Sequence, residues 1–257
     1  MKRAFLDHGV PFGMAHQGGT DVAPGNTEAA FQHAVSLGYA YIETDVQRTA
    51  DGVLVTFHDD VLAPLTGAPG TVADYTWLQL TELRVGGEHP IPRFADIVDR
   101  FPGIRFNVEP KSEPSVQALI DFVGERNFGD RICIGSFSDA KIRRIRSGLP
   151  GVSTSPGPRA AARILMRALR GATTESAYVA VQIPKAYFGV PLTTRWLVER
   201  YHRQGLQVHV WTVNDEATMR TLLDNGVDAI ITDEITLLKQ VLTERGAWPN
   251  AEDVAGT

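Results

Sequence analysis

The chain has 257 residues, 43% of them apolar and 24 of them glycine, an ordinary globular composition that excludes a disordered polymer, a collagen and a coiled coil. A net charge of -5, with Lys and Arg spread along the chain, lacks the basic footprint of a nucleic-acid binder. No stretch reaches the ~18 apolar residues of a membrane span, and the opening MKRAFLDHGV shows no secretory signal, so a cytoplasmic protein is expected. Cys133, the only cysteine, suits a reducing compartment and reads as inert core.

Short apolar runs alternate with amphipathic ones along the chain. Gly13–His16 reads as a first strand, followed by a helix over Thr27–Leu37. Asn26, Thr27 and Glu28 supply its cap and acidic first turn, and Gly38 its stop. A second strand covers Tyr39–Asp45. About sixty residues separate it from the third, far more than the roughly 2–6 of an ordinary βα connection. Asp51-Gly52 marks a hairpin over Val46–Phe57 inside this stretch, with a short helix expected over Asp74–Leu83 and a longer one over Phe94–Phe101.

Further strands are expected at Arg105–Glu109, Arg131–Gly135, Val152–Thr154, Tyr178–Ile183, Leu206–Trp211 and Ala229–Thr232. Helices follow at Pro114–Arg126, Ser138–Ser147, Arg159–Leu169, Thr193–Gln204, Glu216–Asn225 and Thr236–Arg245. Ser138 and Asn214 read as N-caps and Gly226 as a stop. Eight βα units point to an α/β fold closed as a (β/α)8 TIM barrel, with a projecting hairpin insertion at about 46–92 after strand two. An open doubly wound sheet is the alternative, weakened by the absence of G-x-G-x-x-G after the first strand. The whole chain, 1–257, reads as one domain with a frayed tail at 249–257.

Chemistry concentrates at strand ends. Glu43 and Asp45 lie two apart, so strand periodicity puts both carboxylates on one face with Tyr41. Two such acids repel when ionised and need a shared proton or a cation with oxygen ligands, Mg²⁺ or Ca²⁺. Glu109 and Lys111 repeat the spacing at the end of the third strand, as a simple salt bridge or as part of a site. A barrel brings all its strand C-termini to one rim, where these four residues meet. His16 ends the first strand and His58 the hairpin, and imidazoles there can take and give protons near neutrality.

Together these residues resemble the glycerophosphodiester phosphodiesterase family. Ala15–Asp60, AHQGGTDVAPGNTEAAFQHAVSLGYAYIETDVQRTADGVLVTFHDD, is similar in order and spacing to the family's H-R-G, P-E-N-T, E-x-D, T-x-D-G and H-D pattern. Phe106–Ser112 resembles its E-x-K element, and Gly135–Ser138, Val208–Asp215 and Gly226–Asp233 resemble later segments. The resemblance implies a (β/α)8 barrel that hydrolyses a small-molecule glycerophosphodiester to glycerol 3-phosphate and an alcohol with a divalent cation. It implies His16 and His58 as catalytic, Glu43, Asp45 and Glu109 as metal ligands, and Lys111 and Trp211 as substrate-binding. It further implies that Gln17 stands at a phosphate-binding position.

Three departures accompany it. Gln17 replaces the arginine of H-R-G, Gly25 replaces the glutamate of P-E-N-T, and Asp60–Pro69 holds no arginine, leaving Arg93 or Lys185 as substitutes. Lysophospholipase D or cyclising phospholipase chemistry on the same barrel is one alternative function. A non-catalytic phosphate-ligand binder is another.

The basic runs Arg159, Arg163, Arg167, Arg170 and Lys141, Arg143, Arg144, Arg146 read as solvated faces of barrel helices, or as a peripheral lipid contact. His209 is expected inside the barrel, Asp233 as a helix cap within reach of the rim, and Tyr187 and Phe188 in a loop or leaving-group pocket. His8, His33, His89 and His202 carry no assigned role, and oligomeric state is not legible.

Overall fold

The computed structural model describes residues 4–6, 9, 11–173 and 175–248. Eight parallel strands form the body: β1 (Phe12–His16), β2 (Tyr41–Arg48), β3 (Arg105–Pro110), β4 (Ile132–Ile134), β5 (Ser153–Thr154), β6 (Ala180–Ile183), β7 (Gln207–Val210) and β8 (Ala229–Thr232). Hydrogen bonding runs in the order β5-β4-β3-β2-β1-β8-β7-β6. At the remaining seam Val179 N donates to Thr154 O at 3.2 Å, so the barrel is nearly closed. One helix follows each strand: α1 (Glu28–Ser36), α2 (Phe94–Arg100), α3 (Glu113–Glu125), α4 (Asp139–Gly148), α5 (Pro158–Leu169), α6 (Arg195–His202), α7 (Glu216–Asp224) and α8 (Ile235–Glu244).

Strand parity divides the chemistry. On β2, Ile42 and Val46 face the outer core with Phe31, Phe94 and Phe106, while Tyr41 turns inward. The barrel floor is apolar: Phe12 stacks on Tyr41 with ring centroids 4.3 Å apart, and Tyr41 Oη donates to Phe5 O at 2.7 Å. Cys133 lies buried in the same cluster. A neutral polar layer joins Gln182 Nε2 to Asn107 Oδ1 at 3.0 Å and to His209 Nδ1 at 3.4 Å. Burial pushes His209 down to about 4, which keeps this interior imidazole uncharged.

The expected hairpin forms. β2 runs on to Arg48 and pairs antiparallel with Leu54–Thr56, in the register Val46 to Thr56. Thr49 Oγ1 donates to Asp51 Oδ1 at 2.6 Å and accepts from Val53 N at 2.8 Å, closing the turn. Val55, Phe57, Leu62, Val72, Leu80, Val85 and Ile91 build a separate small core beneath the insertion.

Local expectations need five corrections. Asp74–Leu83 is not one helix: a 3₁₀ turn at Val72–Asp74 and a single α-turn at Trp77–Leu80 each open on their own capping box, Thr71 with Asp74 and Thr76 with Gln79. Thr27, not Asn26, caps α1, and Asp215, not Asn214, caps α7. Asp233 does not cap α8, whose N-cap residue is Glu234 with no side-chain bond. The basic run on α4 is only partly a solvated face: Lys141 donates to Lys111 O and Pro110 O, and Arg146 to Thr154 Oγ1 and Ala177 O. The arginines at 159, 163, 167 and 170 do face solvent, opposite buried Ala160, Ile164 and Ala168. No helix among the described residues is long and apolar enough to cross a membrane. His8 and the tail 249–257 lie outside the described residues.

His202 acquires a structural role. Its Nε2 lies 2.7 Å from Asp228 Oδ2, which also accepts from Val208 N at 2.7 Å. The Asp228 hydrogen bond raises the imidazole above its ordinary 6.5. A raised histidine contributes stability that is complete below 6.5 and is lost as pH rises through the folded value. Solvent screening limits the pair to on the order of 1 kcal/mol. His202→Gln is therefore expected to lower Tm by roughly 2–4 °C at pH 6 and by less at pH 9, read by thermal denaturation at both values.

Candidate active site

The C-terminal ends of β1, β2, β3 and β8 carry the polar cluster. Register places His16 opposite Glu43 across β1 and β2, and Asp45 opposite Glu109 across β2 and β3. His16 Nδ1 lies 2.6 Å from Asp233 Oδ1, and its Nε2 lies 3.7 Å from Glu43 Oε2. Asp233 is itself held by Asn214, whose Nδ2 donates to Asp233 Oδ2 at 2.8 Å and whose Oδ1 accepts from Asp233 N at 3.0 Å. This chain from β7 through β8 to β1 fixes the imidazole and directs Nε2 at the carboxylates.

Asp45 is almost wholly buried, and its carboxylate oxygens meet three donors. Its Oδ2 accepts from Gln17 Nε2 at 2.9 Å and Asn26 Nδ2 at 3.1 Å, while Oδ1 lies 3.5 Å from Lys111 Nζ. Lys111 Nζ also lies 3.4 Å from Glu109 Oε2. Glu43 takes a long bond from Gln17 N, at 3.3 Å.

The electrostatics follow from this crowding. Burial, then the charge of Asp45, pushes Glu43 up to about 8. Burial likewise raises Glu109, with Lys111 opposing it. For Lys111, burial pulls down but the charges of Asp45 and Glu109 prevail, and the ammonium is held above its usual value. Burial also works against the charged form of His16, yet the Asp233 bond and the charges of Glu43, Asp233 and Asp45 carry it up to about 9.

His58 is half exposed and contacts Asp59 Oδ1 through Nδ1 at 2.8 Å. Its segment is tied to β2, where Phe57 N donates to Asp45 O at 3.1 Å and Gln47 Nε2 to Asp59 O at 2.6 Å. Trp211, after β7, packs edge-on against exposed Phe137 with centroids 5.5 Å apart, and Phe137 N bonds to Glu109. These aromatics form an apolar side to the mouth. Tyr187 and Phe188 sit exposed on a small hairpin after β6. Neither substitute cation joins the cluster by a direct bond: Arg93 is paired bidentately with Asp96, and Lys185 Nζ lies 3.5 Å from Thr218 Oγ1.

The structure thus links His16, Gln17, Glu43, Asp45, Glu109 and Lys111 by direct contacts, sets His58 beside Asp45 through the backbone, and puts Trp211 with Phe137. Asp233 reaches the rim, as its place at the end of β8 allowed, and Asn26 and Asn214, expected only as caps, join the cluster with it. Asn26 lies in a loop, where a cap is the ordinary reading of Asn-Thr-Glu. Its Oδ1 instead accepts from Thr44 Oγ1 at 2.6 Å and Asp45 N at 3.3 Å.

The chemistry of the donor set fits a hard divalent cation: three carboxylates, one of them raised by burial and then by the charge of Asp45. Among the described residues no three acidic, histidine or cysteine side chains are drawn close enough to cage an ion, and the Lys111 ammonium contacts two of the three carboxylates.

Comparison with known proteins identifies the family. Residues 16–237 match the sequence model of the glycerophosphoryl diester phosphodiesterase family. A Mycobacterium tuberculosis protein named "Probable glycerophosphodiester phosphodiesterase 2" is 38% identical over 96% of each chain. The glycerophosphodiester phosphodiesterase of Caldanaerobacter subterraneus is 31% identical over 91% of this chain and 98% of its own. In fold, an Oleispira antarctica phosphodiesterase solved with its product sn-glycerol-3-phosphate superposes with a TM-score of 0.75 at 20% identity, over 91% of this chain and 97% of that one. The chain belongs to the glycerophosphoryl diester phosphodiesterase family of phosphoric diester hydrolases.

Proposed function

We propose that the chain hydrolyses glycerophosphodiesters to glycerol 3-phosphate and an alcohol by two-histidine acid–base catalysis, with Mg²⁺ or Ca²⁺ as cofactor. The observation that carries this reading is the orientation of His16: Asp233 occupies Nδ1 and leaves Nε2 to exchange a proton at the rim beside Glu43. Asp59 engages His58 in the same way, so His58 also works through Nε2. One histidine takes the proton of the attacking hydroxyl and the other gives a proton to the leaving alkoxide. With the substrate's own hydroxyl as nucleophile the first product is a cyclic phosphate. Water then opens the ring with the two histidine roles exchanged.

Glu43, Asp45 and Glu109 would hold the cation, which when bound supplies charge stabilisation to the phosphate oxygens. Lys111 adds a fixed positive charge at the same place. Lys141 steadies it by donating to the Lys111 carbonyl oxygen. Trp211 and Phe137 offer the glycerol or alcohol part an apolar edge.

Acid–base assistance is worth ~10²–10⁴-fold, so His16→Ala and His58→Ala are each expected to lose at least ~10²-fold in kcat on glycerophosphocholine. Asp233→Asn should lower kcat while leaving KM close to wild type, because it alters how His16 is held and touches no substrate. Full activity in either histidine variant removes it from the mechanism. EDTA should abolish turnover, Mg²⁺ or Ca²⁺ should restore it, and Glu43→Gln should raise the cation concentration giving half activity by ~10-fold or more. An unchanged cation titration contradicts the ligand role of Glu43. Product analysis separates the chemistries: free glycerol 3-phosphate supports this reading, whereas lysophosphatidate or an unopened cyclic phosphate marks another activity on the same barrel.

A further inference from the structure

Gln17 and Gly25 are the two places where the motif region departs from the family pattern, and the structure brings them into contact. A Cβ at position 25 would lie 2.6 Å from Gln17 Oε1 and 2.8 Å from Gln17 Cβ, so the bare glycine is what gives the Gln17 side chain its room. That side chain turns to Asp45, with Nε2 at 2.9 Å from Oδ2. Asn26 delivers a second carboxamide to the same oxygen at 3.1 Å.

The backbone is bent to achieve this. Gln17 and Asn26 have φ of 52° and 61°, two of four left-handed non-glycine residues among those described. Asn26 N donates to Gln17 O at 2.8 Å, which ties the two strained residues together. Backbone strain of this kind persists only where its surroundings over-determine it, and here it aims two neutral amides at one buried carboxylate.

We infer that Gln17 and Gly25 act as one unit that positions Asp45, and that Gln17 is a positioning residue rather than a phosphate ligand. The carboxamide is already committed to Asp45 Oδ2, so it holds the orientation of a group that meets the cation. The inference rests on the reading of Glu43, Asp45 and Glu109 as cation ligands. It also accounts for both departures at once. A side chain at 25 would displace the one at 17.

Gln17→Gly removes the carboxamide at a φ that glycine adopts freely. It should weaken Mg²⁺ binding, measured calorimetrically on the full chain without substrate, by ~10-fold or more. With Mg²⁺ saturating, KM for glycerophosphocholine should stay within about twofold of wild type, well inside the ~10-fold change in cation affinity. Gly25→Ala should weaken Mg²⁺ binding similarly in the wild-type background and have little effect in Gln17→Gly, where nothing remains to be displaced. A raised KM with unchanged Mg²⁺ affinity would overturn the inference, as would an equal cost of Gly25→Ala in both backgrounds. Glu43→Gln serves as the control on the cation reading. If the active wild type takes up no Mg²⁺ or Ca²⁺, that reading fails. The positioning role then stands or falls on whether Gln17→Gly changes kcat or KM.

Discussion

Mutual repulsion among Glu43, Asp45 and Glu109 organises the rest of this molecule. Two like charges ~4 Å apart cost about 4 kcal/mol at an effective dielectric of ~20, and burial adds to the cost. Every neighbouring polar group answers that cost. Lys111 lies against two of the carboxylates, Gln17 and Asn26 donate to one oxygen of Asp45, and His16 turns its free nitrogen toward Glu43. Burial and then the charge of Asp45 raise Glu43 to about 8, and it accepts a long bond from Gln17 N. The site is poised for positive charge, whether from a cation or from the proton it holds.

A barrel suits this arrangement because it separates the costs. The floor is packed aromatic and aliphatic surface, the middle is a closed network of neutral amides around an uncharged His209, and the charges sit at the mouth. Hydrophobic burial on the outer face of the same strands stabilises a sheet whose inner face carries the repulsion. The parity of β2 does this within a few residues, with Ile42 and Val46 outward and Glu43 and Asp45 inward.

Much of this was legible from the sequence. Strand periodicity put Glu43 with Asp45 and Glu109 with Lys111, and the barrel rim brought the pairs together. Eight strands and eight helices appear where the alternation of patterns placed them. What escaped was pairing over long sequence distance. Asp233 meets His16 across 217 positions, and nothing in the local string Ile-Thr-Asp-Glu distinguishes an orienting carboxylate from a helix cap. Asn26 and Asn214 follow the same logic: each stands beside the residue that caps a helix, and the cap preference of Asn hides a side chain engaged elsewhere. The insertion broke into short pieces because two capping boxes lie five residues apart, a local rule that a single amphipathic window averages away.

The separate small core under the insertion gives the two histidines different foundations. His16 ends a strand of the barrel wall and is clamped to the neighbouring strand's end, so its place is set by the cooperative unit that holds the whole chain together. His58 stands on a platform with its own apolar interior, joined to the barrel through β2 and a few hydrogen bonds. Substitutions confined to Val55–Ile91 can therefore shift His58 while His16 keeps its place. The insertion and the barrel thus carry their two histidines on apolar interiors that can vary separately.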